Sequence, residues 1–549
     1  MSNSKKQSER IFDQSDFPVS HVRGTIFQGT GHDMEELAQK PLVGVANSHT
    51  EMNPGHMHLA GLAARVKDGV QSAGGIPFEF NVPAPCDGIA MGHAGMRFVL
   101  AQRDLIADMV ETHVRSMCLD AVVFIASCDK ILPGMIMAAA RLDLPCIFVT
   151  GGPNAMRIRM TPAMKGSISH KDYEDINDKF ATATCATCGA CEIMGTANTF
   201  QCLAEALGLC LPATANIPAY AADRLLYARK SGQRIVRMCE EELTAGKILT
   251  RESLLNALRV DLAIGGSTNA TLHLPAIAHA MGEELPLSTF NEYNRSIPTI
   301  AGIAPNGPYG ITDLYIAGGI PAVMSRIAGN INKDCVTVSG RTVGEIIADA
   351  TVLDDKVIRP RDNPHMEEGG TVVLFGNLAP DGAVVKQSAV ARDMRTFSGP
   401  AKVFESESAC LAAIREQKVE DGMVLVIRNE GPRGAPGMPE MLAVTMALDL
   451  GGYERTALVT DGRFSGATSG PCVGHVSPEA HGGGPIGLVR DDDVVMIDIP
   501  NRKIELAVTD EEMGRRGEAY KPSERYAPPG YMRRYRKLVG SAAGGATLD

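Results

Sequence analysis

Short apolar runs alternate with longer amphipathic segments through the first two-thirds of the chain. Four apolar runs predict buried strands, at residues 41–47, 76–83, 120–127 and 145–152. Three segments with helical periodicity separate these runs, at residues 56–74, 98–117 and 134–142. Strands that alternate with helices predict an α/β fold with a doubly wound, mainly parallel sheet. Ligands bind at the carboxyl ends of the strands in such sheets, which is where Asn47 and Cys128 fall.

The pattern changes after about residue 355. Residues 356–370 are rich in charge and proline, which predicts a linker between domains. Short β-like runs separated by glycine and proline then predict a second, β-rich, barrel-like domain at 371–540. We therefore expect an α/β domain at 1–355 and a disordered small-residue tail at 541–549.

Composition and charge exclude several classes of partner. The net charge of the 549-residue chain is -11, and no block of lysine and arginine provides a nucleic-acid or membrane footprint. No apolar run approaches the ~18–20 residues of a membrane span, and the first residues lack a signal-peptide core. We expect a cytoplasmic protein, in which the 13 cysteines do not form disulfides. Seven are interpreted as buried small hydrophobic residues: Cys118, Cys146, Cys202, Cys210, Cys239, Cys335 and Cys410.

The strongest local motif is a pair of consecutive C-x-x-C steps formed by Cys185, Cys188 and Cys191. Three thiolates within seven residues are typical of iron–sulfur ligation. Zinc binding is the main alternative, and a structural run of buried cysteines is the third interpretation.

Two more motifs follow predicted strands. Cys128, Asp129 and Lys130 place a soft ligand, a carboxylate and an amine side by side at one strand end. The alternative for Asp129 is a salt bridge to a basic partner. Cys86 and Asp87 follow the strand at 76–83, where Asp87 is either a second cation ligand or, on the local pattern alone, part of an ordinary Asp-Gly turn.

The C-terminal part carries two further candidates. Glu440 lies before a predicted helix, where it is either functional or a charge at the helix N-terminus. The glycine-rich loop 461–470 is able to bind a carboxylate through backbone N–H groups, and a plain surface loop is equally consistent with its composition. The loop 265–269 lacks the lysine and spacing of a nucleotide-binding loop.

Taken together, these segments resemble the dihydroxy-acid dehydratase and phosphogluconate dehydratase family along nearly the whole chain. The matching motifs, in the order of the family, are VANSHTEMNPGHMHL, CDGIAMGHAGM, SCDKILPGM, TCGACEIMGTAN, LAIGGSTNATLHL, LFGNLAPDGAVVK, GPRGAPGMPEM and VTDGRFSGATSGPCVGHVSPEA. The resemblance implies a hydro-lyase that converts a 2,3-dihydroxy acid into a 2-keto acid. It also implies a homodimer or homotetramer, with the active site between an α/β domain and a β-barrel.

The resemblance also implies roles for particular residues. Cys128 and Cys191 would ligate an iron–sulfur cluster. Lys130 would be carbamylated and bind Mg²⁺ together with three carboxylates, and Ser465 would be the catalytic base. Those three carboxylates are Asp87, Asp129 and Glu440.

This chain departs from the family at two places. Some members have a cysteine where Gly55 stands, and their cluster is of the 2Fe-2S type. A 4Fe-4S cluster with one open iron is therefore preferred here, with Cys188 or Cys86 as the third ligand. The branched-chain enzymes usually have an aromatic residue directly before T-A-N, where this chain has Met194 and Gly195 before Thr196, and the segment 154–179 also differs from them. These differences leave sugar acids (gluconate, xylonate or arabinonate) as alternative substrates.

Two hypotheses from other classes remain at this stage. A non-catalytic iron–sulfur protein for electron transfer or sensing would need four cysteine ligands, and it would leave the carboxylates without a role. A zinc-stabilised binding module would contain zinc without iron or sulfide.

Overall fold

The computed structural model describes residues 6–155, 185–466, 468, 470–523 and 527–548. Its first domain is built on a parallel four-stranded sheet in the order β2-β1-β3-β4. The strands are β1 (Leu42–Asn47), β2 (Ile76–Asn81), β3 (Ala121–Ala126) and β4 (Cys146–Thr150). The chain moves outward from β1 to β2 and then crosses to β3 on the other side. With right-handed crossovers, this order places helices on both faces and a switch point between β1 and β3.

The helices that cover the sheet pack closely where glycines meet. The helices Leu59–Ser72 and Ala222–Glu240 lie against each other. A Cβ on Gly69 would lie 2.1 Å from the Arg229 carbonyl oxygen, and one on Gly232 would lie 2.1 Å from the Val66 carbonyl oxygen. The glycines therefore allow the two backbones to approach.

The helices Arg97–Ser116 and Ile131–Leu142 form a second packed pair. The remaining helices before the barrel are Glu9–Phe12, Val19–Gly29, Met34–Gln39, Asp87–Ala90, Thr196–Ala206, Ala245–Ile248, Arg251–Ile264, Ala270–Ala280, Ser288–Asn294, Ile311–Ile316, Gly319–Arg326 and Val343–Ala348.

A closed eight-stranded barrel forms the second domain. Its order is β10-β6-β5-β12-β11-β7-β8-β9, with β9 pairing back to β10. The strands are β5 (Val372–Gly376), β6 (Ala379–Val385), β7 (Thr396–Phe404), β8 (Val424–Ile427), β9 (Ala457–Thr460), β10 (Cys472–Ser477), β11 (Val494–Asp498) and β12 (Lys503–Leu506). Its helices are Glu407–Arg415, Leu442–Gly451, Asp510–Ala519 and Tyr531–Leu538. The predicted fold class, an α/β domain followed by a β-barrel, is confirmed.

The predicted disorder of the tail is wrong. Ala542–Gly544 forms a 3-10 turn, and Ala546 is fully buried. The buried Arg103 guanidinium donates to the carbonyl oxygen of Ala546 at 2.8 Å. The small residues that suggested disorder instead let the tail backbone fit closely against the first domain, since a Cβ on Gly545 would lie 2.6 Å from the nitrogen of Ala276.

The segment 356–370 packs onto the first domain through isolated bridges from Ile358 to Ala301 and from Met366 to Thr299. The division of the chain at this segment stays a prediction. Among the described residues, no helix is long and apolar enough to cross a membrane.

Candidate active site

Three carboxylates from distant parts of the chain converge between the two domains. Asp87 begins the short helix after β2, Asp129 follows β3, and Glu440 comes from the barrel domain. One oxygen of each lies within 4.8 Å of the others. The sequence resemblance pointed to these three residues, and the fold brings them together.

The carboxylate cluster has the chemistry of a site for a hard divalent cation. Burial first, and then the charges of Asp129 and Glu440, raise the pKa of Asp87 to about 7. Asp87 Oδ1 is buried and has no hydrogen-bond partner among the described residues. A cation among the three would relieve both the repulsion and the unsatisfied oxygen, and oxygen ligands suit Mg²⁺.

Lys130 lies within the same cluster and is fully buried. Its Nζ donates to Asp87 Oδ2 at 2.9 Å and also to Asp129 Oδ2. Burial lowers the pKa of Lys130, but the two carboxylates outweigh that effect and raise it. The salt bridge that was the alternative interpretation of Asp129 is therefore present in this structure.

Two residues of the cluster were missed in the sequence. Arg463 Nη1 lies 3.3 Å from Glu440 Oε1, and its Nη2 lies 3.8 Å from Asp87 Oδ2. Asn269 Nδ2 donates to Glu440 Oε1 at 2.9 Å. Both side chains are buried, and both lie in motifs that had been noted for other residues. The helix after Glu440 begins at Leu442 without a side-chain cap, so the structure does not support a capping role for Glu440.

The loop 461–470 is not a plain surface loop. Asp461 and Arg463 are fully buried, and a Cβ on Gly466 would lie 3.0 Å from the Cα of Gly195 in the first domain. Ser465 lies on this loop, two residues after Arg463, and its carbonyl oxygen accepts the Thr468 N–H at 3.0 Å. The loop thus carries Ser465 to the surface where the two domains meet.

Cys128 is buried at the switch point of the sheet. Asn53 Nδ2 donates to its Sγ at 3.5 Å, and the Cys128 N–H donates to His56 Nε2 at 3.2 Å. Burial lowers the pKa of His56 to about 4, so its ring stays neutral and Nε2 remains an acceptor. A Cβ on Gly55 would lie 3.2 Å from Cys128 Sγ, so a cysteine at position 55 would border this same thiol.

The other candidate cysteines, Cys86, Cys188 and Cys191, differ in whether they interact electrostatically with Cys128. Desolvation first, and then the neighbouring Cys185 and Cys86, raise the pKa of Cys191 to about 11, although the residue lies at the surface. Burial also raises the pKa of Cys128, with added contributions from Asp129, Cys86 and Cys191. The pKa of Cys188 is raised by burial, without a contribution from another cysteine. Cys86 is therefore an electrostatic neighbour of both Cys128 and Cys191.

Soft thiols next to a cluster of hard carboxylates fit an iron–sulfur group beside a magnesium ion. Of the seven cysteines interpreted as core residues, four are buried (Cys146, Cys202, Cys210 and Cys410) and three are partly exposed (Cys118, Cys239 and Cys335).

The substrate-related departures have different outcomes. Gly195 occupies the position directly before Thr196, and it lies against the Ser465 loop, since a Cβ on Gly466 would lie 3.0 Å from the Gly195 Cα. Met194, the residue before it, is fully buried in the core of the first domain. The difference at Gly195 therefore remains next to the candidate site. Of the segment 154–179, all but the first two residues lie outside the described part of the chain.

Comparisons with known proteins cover both domains. The N-terminal model of the dihydroxy-acid/6-phosphogluconate dehydratases matches residues 40–346, and their C-terminal model matches residues 356–546.

Full-length relatives carry one name. A dihydroxy-acid dehydratase of Ignicoccus hospitalis is 49% identical over 95% of this chain and 97% of its own length. Proteins of the same name from Methanococcoides burtonii and Acetivibrio thermocellus are 47% and 46% identical. These matches cover 93% and 95% of this chain, and 95% and 97% of the relatives.

Proposed function

This chain belongs to the dihydroxy-acid/6-phosphogluconate dehydratase family, and on that premise we propose that it dehydrates branched 2,3-dihydroxy acids with an iron–sulfur cluster and Mg²⁺. The reaction class is that of a hydro-lyase, which removes water from a 2,3-dihydroxy carboxylic acid to give a 2-keto acid. The proposal adds the substrate, the cofactors and the residues that perform each step.

The observation that carries the proposal is the buried cluster of Asp87, Asp129 and Glu440. We assign these three as magnesium ligands, which would hold the cation where it neutralises the substrate carboxylate. Lys130 has no acceptor atom as an ammonium group, so it joins the ligands only after carbamylation. Its two present hydrogen bonds already point its Nζ at Asp87 and Asp129.

For the cluster, we assign Cys128 and Cys191 as ligands. The electrostatic coupling of Cys86 to both supports it as the third ligand in preference to Cys188. Gly55 supplies no thiol, which favours a 4Fe-4S cluster with an iron that no cysteine occupies; a 2Fe-2S cluster is the alternative. When bound, such a group supplies a Lewis acid for the departing hydroxide.

The side chains of the chain itself move the protons. Ser465, as an alkoxide, takes the proton from C2, while the hydroxyl on C3 leaves as hydroxide. The hydroxide takes up the proton that Ser465 has gained and becomes water, which restores the alkoxide. The buried Arg463 guanidinium, which lies near the carboxylate cluster and two residues before Ser465, favours the ionised form of a serine that approaches the cluster. The resulting enol takes a proton at C3 as it becomes the 2-keto acid, so the net change is loss of one water.

The substrate assignment is supported by the names of the relatives, since all three relatives described above are named dihydroxy-acid dehydratase. The difference at Met194 and Gly195 keeps sugar acids as the alternative substrates.

A substrate panel tests the proposal. Anaerobically reconstituted protein with Mg²⁺ is offered 2,3-dihydroxyisovalerate, gluconate, xylonate and arabinonate, and release of keto acid is measured for each. We expect the highest kcat/KM with 2,3-dihydroxyisovalerate. A clear preference for a sugar acid would contradict the substrate assignment and leave the reaction class in place.

We also propose that the protein is cytoplasmic and forms a homodimer or homotetramer. The helix Val19–Gly29 supports association, because Val19, Val22 and Ile26 lie on one of its faces and are more than half exposed. Light scattering of the holoenzyme measures the oligomer size.

A further inference from the structure

Lys386 is a buried lysine that the proposed reaction does not use. It follows β6 of the barrel, and only 6% of its surface is exposed. Its Nζ donates to the carbonyl oxygen of Gly466 at 2.9 Å and lies 3.3 Å from that of Met194. One side chain therefore joins the residue after Ser465 to the loop that follows Cys191.

Asp261 is the acidic group that interacts with Lys386 in this buried region. It is fully buried near the end of the helix Arg251–Ile264, and neither carboxylate oxygen has a hydrogen-bond partner among the described residues. A Cβ on Gly266 would lie 2.0 Å from Asp261 Oδ1, so the carboxylate sits directly beneath the loop that carries Asn269.

Lys386 and Asp261 are costly to bury, which indicates that the pair has a specific structural role. Burial lowers the pKa of Lys386 to about 7 and raises the pKa of Asp261 to about 8, and each partner opposes the shift of the other. Hydrogen bonds from a buried amine offset part of this cost, and they hold the backbone groups that accept them in one geometry. Here the fixed backbone belongs to two loops of different domains, and both carry residues of the candidate site.

We propose that Lys386 is a positioning residue, which holds the Ser465 loop against the loop that follows Cys191 so that Ser465 meets the C2 proton of the substrate. The inference rests on the proposed function and adds a residue to it. Lys386 does not itself touch the reacting atoms. Its loss therefore slows proton removal more than it weakens substrate binding, because a small misplacement of a reacting group acts mainly on the chemical step.

The test uses reconstituted holoenzyme and the variant Lys386→Met, which keeps much of the apolar stem and removes the amine. Lys386→Arg is the conservative variant. Lys402→Met is the matched control, because Lys402 lies on β7 of the same barrel but is paired with Asp491 at the surface. For each protein we measure kcat, KM, visible absorption of the cluster and the deuterium isotope effect on kcat with substrate labelled at C2.

In Lys386→Met we expect kcat to fall about 10- to 100-fold, KM to change less than about 3-fold and the isotope effect to rise, with cluster absorption retained. Lys386→Arg recovers part of kcat, and Lys402→Met behaves like the wild type. A fall in kcat with an unchanged isotope effect would show a loss of folded enzyme and overturn the positioning role, as would normal kcat in Lys386→Met.

If Lys386→Met does not fold, Lys386→Arg decides, because its longer side chain keeps donors but displaces the loop. A raised isotope effect in that variant supports the proposal, and wild-type kinetics overturn it. Wild-type protein without dehydratase activity would overturn the proposed function itself. Dehydratase activity in the wild type, together with unchanged kinetics in the Lys386 variants, would overturn only this inference.

Discussion

Buried groups of opposite charge meet at the candidate site with one carboxylate in excess. Asp87, Asp129 and Glu440 face Lys130 and Arg463, and burial, followed by the neighbouring carboxylates, raises the pKa of Asp87. Charged residues are expensive to bury unless they are paired or bind an ion. At the scale of single residues, the charges of the candidate site therefore suit the cation that we propose, with Ser465 and the cysteines on the segments beside it.

Replacing Ser465 by alanine tests the assigned base. We expect kcat to fall by about 10²- to 10⁴-fold, because general base catalysis contributes on that order. Cluster absorption and the Mg²⁺ dependence of the remaining activity stay unchanged. The control is Ser398→Ala, which changes an exposed serine on β7 and leaves kcat unaltered. Substantial turnover by Ser465→Ala would remove this residue as the base.

Cys86 and Cys188 are distinguished by the iron content of their serine variants. We expect Cys86→Ser to lower bound iron and sulfide and to speed loss of the cluster in air, because a serine oxygen replaces a soft ligand. Cys188→Ser keeps the iron content of the wild type and serves as the matched control. The reverse pattern would make Cys188 the third ligand.

At the scale of elements, loops that follow strands and precede helices bring the functional groups together. The sequence was sufficient for the four parallel strands, because β1, β3 and β4 are continuous apolar runs, β2 is a short apolar run interrupted by Glu79, and helical periodicity separates the four. It also located Asp87, Asp129 and Glu440, but only through the family motifs.

Asn269, Arg463 and Lys386 could not be predicted as neighbours of the site, because their contacts join positions 80 or more residues apart or cross between domains. Such pairings depend on how the barrel is placed against the sheet. The prediction of a disordered tail was wrong for a related reason, because the composition of the tail does not show the surface on which it packs.

Asp261, near the end of the helix Arg251–Ile264, gives a prediction for pH dependence. The folded state holds a proton on Asp261 up to about pH 8, whereas the unfolded chain releases it near the ordinary value of 3.8. The folded state therefore binds more protons between these values, and this carboxyl makes the protein less stable as the pH rises.

Asp261→Asn removes this dependence. Between pH 5 and pH 8, we expect the variant to gain stability relative to the wild type by up to about 1.4 kcal/mol per pH unit. Thermal unfolding of both proteins across that range measures the difference. Parallel curves would show that Asp261 is ionised in the folded protein, contrary to its raised pKa.

At the scale of the whole molecule, contacts between the two domains complete the site and hold the chain end in place. Glu440 reaches Asn269 across the domain interface, and Lys386 joins both domains near the Ser465 loop. The tail packs on the first domain, where Ala546 accepts a hydrogen bond from the buried Arg103.

Removing residues 541–549 is expected to destabilise the protein by about 2–4 kcal/mol, because Arg103 loses a buried acceptor and Ala542 and Ala546 lose their packing. Thermal unfolding measures the loss. Removing Asp549 alone is the control and leaves the melting temperature unchanged. Equal stability of the two truncated proteins would show that the packed tail contributes nothing.

The most direct test of the central claim is a proton NMR time course of 2,3-dihydroxyisovalerate with anaerobically reconstituted protein and Mg²⁺. We expect stoichiometric conversion to the 2-keto acid without any added oxidant or reductant, and no conversion after Mg²⁺ is chelated. An unchanged substrate spectrum, with the cluster loaded and Mg²⁺ present, would contradict the assignment of this chain as a dehydratase of branched dihydroxy acids.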